Sequence, residues 1–322
     1  MSLLVLTDSE VRELLDMESC IEAMAGVLAA LQREELSMPL RFVFRPSGTT
    51  SLMGFMPAHR AGVSPLFSLK EIVISPGNSA RGMDPHQGAV MLHDGETGQL
   101  TALLNASAVT EIRTAAVSAV ATRLLARPRS RVVAVLGAGV QGRSHVEAMR
   151  AALDDPEIRI WSRGVERAAA LAEETGAALA ASVEQACAGA DVVCACTSAR
   201  EPVLSLELLA AGTHVNAVGS SIPTTRELTS ELVAAASLFV DRRESTANEA
   251  GDYLFAVQEA GIGPDHIKAE LGELLEGVHP GRQSDGELTL FKSLGIAVED
   301  LAAAELCVAR ARERGIGTEV EF

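Results

Sequence analysis

The segment from Arg131 to Gly142 constrains this 322-residue chain more than any other. Five apolar residues, Val132 to Leu136, run directly into Gly137-x-Gly139-x-x-Gly142, and a helix-prone stretch continues to about Leu153. Strand, tight turn and helix in immediate succession are the context in which such glycines bind a dinucleotide. Gly137 permits the turn, Gly139 lets a pyrophosphate approach the backbone, and Gly142 lets helix and strand pack closely. Val140 and Gln141 lie in the same loop. The helix start offers unpaired N–H groups and a partial positive charge to phosphates. Glycine spacing alone is weak, because glycines mark ordinary turns; the flanking elements make a dinucleotide site the expected reading.

A second apolar run, residues 158–161, ends in Ser162-Arg163-Gly164. NAD-binding domains usually carry Asp or Glu there, about 20 residues past the glycines, bonded to the ribose 2′-hydroxyl. Here no carboxylate stands to repel a 2′-phosphate, and Arg163 offers a planar fork of donors that matches one. Ser162 and Arg163 therefore favour NADP, with NAD still admissible. An arginine on a solvated strand end looks the same and does nothing.

Strand-like runs at 132–136, 158–161, 178–180, 192–196, 214–218 and 238–240 alternate with helix-like segments. This predicts an α/β domain, a Rossmann-type doubly wound parallel sheet. Run 192–196 is apolar without alternation, as in a strand buried on both faces. After Asp241 the pattern reads as helical to the C-terminus. Ahead of the glycine loop, Thr7-Asp-Ser-Glu10 reads as a capping box. Met17, Ile21, Met24, Leu28 and Leu31 then recur at helical spacing. Strand-like runs follow at 41–44, 52–56 and 67–74. Runs 86–92 and 99–104 flank Asp94-Gly-Glu-Thr-Gly98 as a hairpin. Residues 108–126 read as helix, and Arg127-Pro128-Arg129 marks the boundary of the nucleotide domain.

A net charge of −16 without a basic cluster disfavours nucleic acid and anionic membranes as partners. No apolar run approaches the ~20 residues of a membrane span, and no secretory signal is visible. Five scattered cysteines have neither metal-ligand spacing nor a disulfide pattern, so a cytoplasmic protein without a metal is expected. His86, His93 and His145 form no metal set; His145, in the first turn of the nucleotide helix, reads as structural.

Outside the glycine loop, the chain carries Met38-Pro-Leu-Arg41, Phe67-Ser-Leu-Lys70, Leu100-Thr-Ala-Leu-Leu-Asn105 and Thr110-Glu-Ile-Arg-Thr-Ala-Ala116. Asn216-Ala-Val-Gly219 and Thr289-Leu-Phe-Lys-Ser-Leu-Gly295, with Glu299-Asp300, follow in order. Over nearly its whole length the chain thus resembles the ornithine cyclodeaminase/mu-crystallin family. The resemblance implies a discontinuous α+β dimerisation and substrate domain, residues 1–126 and 297–322, around an NAD(P)-binding Rossmann domain, residues 127–296. It implies a homodimer that transfers hydride between nicotinamide and a small α-imino or α-amino acid. Arg41 and Arg113 match the family's arginines for the substrate carboxylate, a bidentate task, and Lys70 matches its catalytic lysine. Thr114, Thr197, Val218, Gly219 and Ser293 match cofactor positions. Lys292 and Asp300 receive no chemistry; Asp300 reads as a helix cap ahead of Leu301.

Two departures bear on the reaction. Cyclodeaminases and family alanine dehydrogenases resemble Val-Gly-x-Asp-x-Pro where this chain has Val218-Gly-Ser-Ser-Ile-Pro223, so Ser221 replaces an aspartate. Cyclodeaminases resemble Glu-Leu-Met-Pro where this chain has Gly54-Phe-Met-Pro57. A serine hydroxyl orients a substrate but is a poor base near neutral pH. Reducing a preformed imine asks less of an enzymic base, which favours reduction of a ketimine or cyclic imino acid such as Δ1-pyrroline-2-carboxylate. An amino-acid dehydrogenase or cyclodeaminase, and a non-catalytic protein that holds NADP and a small ligand, remain as alternatives.

Overall fold

The computed structural model describes residues 2–83 and 86–322. The chain divides into two units, Met1–Arg113 with Ile296–Phe322, and Thr114–Gly295. Strands are numbered along the chain.

In the first unit, β1 (Ser2–Leu6), β2 (Leu36–Ser37), β3 (Phe42–Phe44), β4 (Leu52–Arg60), β5 (Leu66–Ile74), β6 (His86–Asp94), β7 (Leu100–Asn105) and β16 (Thr318–Glu321) form one sheet. Its order is β16-β1-β7-β6-β5-β4-β2, with β3 beside β4. All neighbours are antiparallel except β1 and β7. The hairpin of β6 and β7 forms as expected, its turn tied by the Asp94 carboxylate, which accepts the Thr97 N–H at 2.8 Å. Helix Ala297–Arg314 packs across β4, β5 and β6 and against helix Met17–Gln32. Side chains alternate across a strand, so one face presents Met56, Ala58, Val90, Leu92, Ala102 and Leu104, all buried. Each such leucine or valine contributes roughly 1.5–3 kcal/mol on burial. The capping box at Thr7 also forms: the Thr7 N–H donates to Glu10 Oε2 at 2.8 Å.

In the second unit, β8 (Val132–Leu136), β9 (Glu157–Trp161), β10 (Ala178–Leu179), β11 (Val192–Ala195), β12 (His214–Ala217), β13 (Ser237–Val240), β14 (Ile267–Glu270) and β15 (Thr289–Lys292) form a sheet in the order β10-β9-β8-β11-β12-β15-β13-β14. Every neighbour is parallel. The doubly wound expectation is met, and every residue of β11 is buried. From β8 the chain runs outward through β9 and β10, then returns to β11 on the other side. That reversal is the place where such sheets bind ligands, outside the carboxyl ends of the strands.

One expectation fails. Residues after Asp241 are not helical throughout, because they include β14, β15 and β16. Short, wholly buried runs such as Thr289–Lys292 have no polar alternation, so periodicity cannot distinguish them from buried helix.

Candidate functional site

Each unit contains a buried polar cluster. In the first unit, cross-strand register sets Met56, Lys70, Val90 and Leu104 in one row on the covered face. Lys70 is thus inserted among apolar side chains at 2% exposure, which demands a partner. The partner is Asp300, in the first turn of helix Ala297–Arg314, with Lys70 Nζ 2.7 Å from Asp300 Oδ2. Arg113, on helix Ala106–Leu125, donates from Nε to Asp300 Oδ1 at 2.9 Å and from Nη1 to Glu299 Oε2 at 2.8 Å. The helix N-terminus further favours both carboxylates.

Two cations therefore face two carboxylates in a dry interior. Desolvation pushes the Lys70 ammonium down to about 8, against the pull of Asp300, and the charges of Arg113 and Arg41 push the same way. Burial alone would raise the Asp300 carboxyl, but Arg113 and Lys70 reverse this and hold it below its ordinary value. Arg41 is half-buried, immediately before β3. Asp300 is not a helix cap: Ile296 occupies that position, and Asp300 is a buried counter-ion of Lys70 and Arg113. From sequence, the only signal for Glu299 and Asp300 is their adjacency in a family segment, which assigns them no chemistry.

In the second unit the glycine loop has the form a phosphate cradle needs. Gly137 lies at φ +123°, and a Cβ there would stand 2.4 Å from the Cys196 carbonyl oxygen. A Cβ on Gly142 would stand 2.0 Å from the Gly137 oxygen, so helix and turn touch. Gly139 faces open space and caps helix Val140–Ala152 without a side-chain hydrogen bond. Val140 is exposed and Gln141 half-buried. These residues fit a dinucleotide pyrophosphate: two glycines make the turn compact and the third leaves the helix start uncovered. Ser162 Oγ accepts the Gly164 N–H at 3.2 Å at the end of β9, and Arg163 beside it is exposed, with no ion-pair partner among the described residues. Thr114 is buried on its helix. His145 is structural, bonded through Nε2 to Ser118 Oγ at 2.9 Å and through Nδ1 to the Gln141 carbonyl at 2.7 Å. Burial pushes it down to about 4, so it is neutral.

The remaining expected positions gather at the carboxyl ends of adjacent strands. Thr197 follows β11, Val218 and Gly219 follow β12, and Ser293 follows β15. Ser293 donates its N–H to the Ala217 carbonyl at 3.0 Å. Ser221 is half-buried in the loop after β12. Sequence reasoning missed what holds these loops. Glu227, wholly buried, accepts the Thr197 N–H at 2.6 Å, the Thr197 hydroxyl at 2.7 Å and the Gly219 N–H at 2.6 Å. Asp241 Oδ2 accepts the N–H groups of Leu294 and Gly295 at 2.7 and 2.9 Å. Lone acidic residues in loops carry no pattern that marks them for such tasks. Among the described residues, no group of three or more His, Cys, Asp or Glu is placed to hold a metal ion, and no helix is long and apolar enough to cross a membrane.

Comparison with known proteins gives a consistent outcome. The mouse ketimine reductase mu-crystallin is 41% identical over 270 residues, 83% of each chain. The structure of Thermococcus litoralis Δ1-pyrroline-2-carboxylate reductase in complex with NADH and L-proline superposes with a TM-score of 0.93 at 32% identity, covering 98% of this chain and 100% of that one. An archaeal alanine dehydrogenase dimer with bound NAD gives a TM-score of 0.93 at 30% identity, covering both chains completely. The profile of the ornithine cyclodeaminase/mu-crystallin family matches residues 1–315, and the chain belongs to that family.

Proposed function

We propose that this protein is an NAD(P)H-dependent reductase that converts a ketimine or cyclic imino acid, such as Δ1-pyrroline-2-carboxylate, to the L-amino acid. The observation that carries this reading is the buried Lys70–Asp300 pair beside Arg113. Reducing a C=N bond takes a hydride at carbon and a proton at nitrogen. When bound, the dinucleotide supplies the hydride. Lys70, depressed to about 8, is still protonated at neutral pH yet gives up its proton more readily than an ordinary lysine. It keeps the imine nitrogen protonated while Asp300 fixes the ammonium. Arg41 takes the substrate carboxylate, with Arg113 as second cation, held rigid by its own two carboxylates. Ser221 orients the substrate, and neither it nor Gly54 supplies the carboxylate that cyclodeamination would use. The names of the mouse relative and of the Thermococcus neighbour support the same reaction class.

On the second unit, Gly137, Gly139, Val140, Gln141 and Gly142 take the pyrophosphate, Thr114, Thr197, Val218, Gly219 and Ser293 the rest of the dinucleotide. Ser162 and Arg163 favour NADP. Arg163→Ala should weaken NADPH binding about tenfold, the size of one hydrogen bond to a charged group. NADH binding should stay within about twofold. Equal losses in titrations of the two would remove the preference.

We infer a homodimer, and the uncovered face of the first unit's sheet supports that reading. Pro57, Leu69, Met91 and Leu103 form an apolar, half-exposed row across four strands. Phe42 and Phe44 nearby are 61% and 52% exposed. A contiguous exposed apolar face of this kind fits a subunit interface. Sedimentation should return twice the chain mass of 33.7 kDa; the mass of one chain at working concentrations would overturn it.

The test of function is nicotinamide absorbance with NADPH or NADH and a panel of cyclic imino acids, run beside ornithine, alanine and proline with the oxidised cofactors. Consumption of reduced cofactor by an imino acid is expected. Turnover of ornithine or alanine alone would replace the reductase by a deaminase or dehydrogenase.

A further inference from the structure

We propose that the buried Glu227–Asp252–Lys292 cluster is a proton-linked positioning device, in which the charge on Glu227 sets how firmly the second unit grips its dinucleotide. The inference rests on the dinucleotide reading above and adds residues that reading does not use.

The geometry joins the carboxyl ends of three adjacent strands. Glu227 clamps Thr197, beyond β11, and Gly219, beyond β12. Asp252, at the start of helix Gly251–Ala260, accepts the N–H groups of Glu227 and Leu228 at 2.8 and 3.0 Å. Its other oxygen is 3.0 Å from Lys292 Nζ, at the end of β15. Lys292 also donates to the carbonyl of Ala217, the last residue of β12, at 3.1 Å. Lys292 immediately precedes Ser293. The backbone that carries Thr197, Gly219 and Ser293 is therefore fixed by one charged triad, with no water-exposed member. Gly219 has no slack: a Cβ there would stand 1.9 Å from the Thr197 carbonyl oxygen and 2.7 Å from the Glu227 carboxyl carbon.

The clamp needs Glu227 ionised. Both of its oxygens face donors, and every partner is an N–H or O–H. A proton on the carboxyl would displace an N–H or force the Thr197 hydroxyl to turn from donor to acceptor, and either change weakens the clamp. The groups facing Glu227 are Asp252 from its helix, Lys292 from β15 and the Cys196 thiol beyond β11. Burial keeps that thiol neutral. Desolvation and Asp252 push Glu227 up, Lys292 and the Thr197 bonds pull it down, and the balance is about 7. A dinucleotide that needs the clamp draws Glu227 toward its ionised form, so binding near pH 7 expels a proton and affinity rises with pH. Stability runs the other way. A carboxyl raised in the fold stabilises fully below its ordinary 4.5, and that contribution is lost as pH rises through about 7.

Calorimetric titration of the whole protein with NADPH, and in parallel NADH, near pH 7 in two buffers of different ionisation enthalpy reads the proton directly. Wild type should release a sizeable fraction of a proton more than Glu227→Gln. Any titration of the NADPH 2′-phosphate itself is common to both and cancels. Glu227→Gln mimics the protonated state, so it should bind about tenfold more weakly, with affinity flat in pH where wild type rises. Glu227→Asp, which keeps the charge, should retain proton release at reduced affinity and serves if the glutamine variant does not fold. Equal proton release in wild type and Glu227→Gln, or release absent in both wild type and Glu227→Asp, would overturn the device and leave Glu227 a structural residue. Failure of wild type to bind either dinucleotide would instead remove the function reading.

Discussion

Replacing Lys70 by methionine should lower imine turnover by about 10²- to 10⁴-fold, the range for loss of a positioned proton donor. The dissociation constant of NADPH should change by no more than about twofold. Lys70 belongs to the first unit, and none of the cofactor positions assigned on the second unit depends on it. Methionine keeps the length and apolar body of lysine, so the row of Met56, Val90 and Leu104 retains a filled position. Asp300 keeps Arg113 as counter-ion, but two buried carboxylates then share one cation, so the variant is also less stable than wild type and its rate is compared under conditions where both are folded. The pH profile adds a sharper sign. A proton donor works in its protonated form, so wild-type turnover should fall as pH rises through about 8. In Lys70→Met that arm should disappear. Steady-state rates with a cyclic imino acid between neutral and alkaline pH check both statements. Unchanged turnover would reduce Lys70 to a structural cation, and an alkaline arm that survives the substitution would assign the proton to another group.

The parts of this protein legible in sequence were those with local causes. The glycine loop combines its meaning in a dozen consecutive residues, and the structure shows why each glycine is needed: Gly137 for its positive φ, Gly142 for contact with the turn. The parallel sheet is readable through β13 because helical segments separate most of its strands. It becomes unreadable at β14 and β15. Both are four residues long, and β15 inserts between β12 and β13 rather than pairing with its neighbours in sequence. The charged clusters were the least visible. Asp300 meets Arg113 across 187 residues of sequence, and acidic residues in a helix's first turn already have a local reason to be there. A carboxylate that looks like favourable helix electrostatics is here a counter-ion buried beneath a sheet. Glu227 is harder still, since its three donors come from two different strand ends and no spacing links them.

Asp300→Asn should strongly destabilise the first unit. Asparagine preserves shape but leaves Lys70 and Arg113 with Glu299 as the remaining carboxylate of the cluster, so one buried positive charge is uncompensated. Breaking a buried ion pair from one side costs about 3–5 kcal/mol, a large share of a total stability of roughly 5–15 kcal/mol. The midpoint of denaturant unfolding should fall accordingly, with the slope unchanged. Adding Lys70→Met removes the stranded ammonium, so the double variant should cost less than the sum of the two single changes by about 0.5–3 kcal/mol, the range for directly interacting groups. The acid limb provides an independent check. Asp300 is held below its ordinary 3.8, so its contribution is present above that value and lost as pH falls further. Asp300→Asn should flatten that part of the stability profile. Its cost should also reach catalysis, because without the carboxylate Lys70 is depressed further and less of it carries a proton at neutral pH. Strictly additive costs for Lys70→Met and Asp300→Asn would mean the two side chains stabilise the fold independently, and that Asp300 does not hold the lysine in its working state.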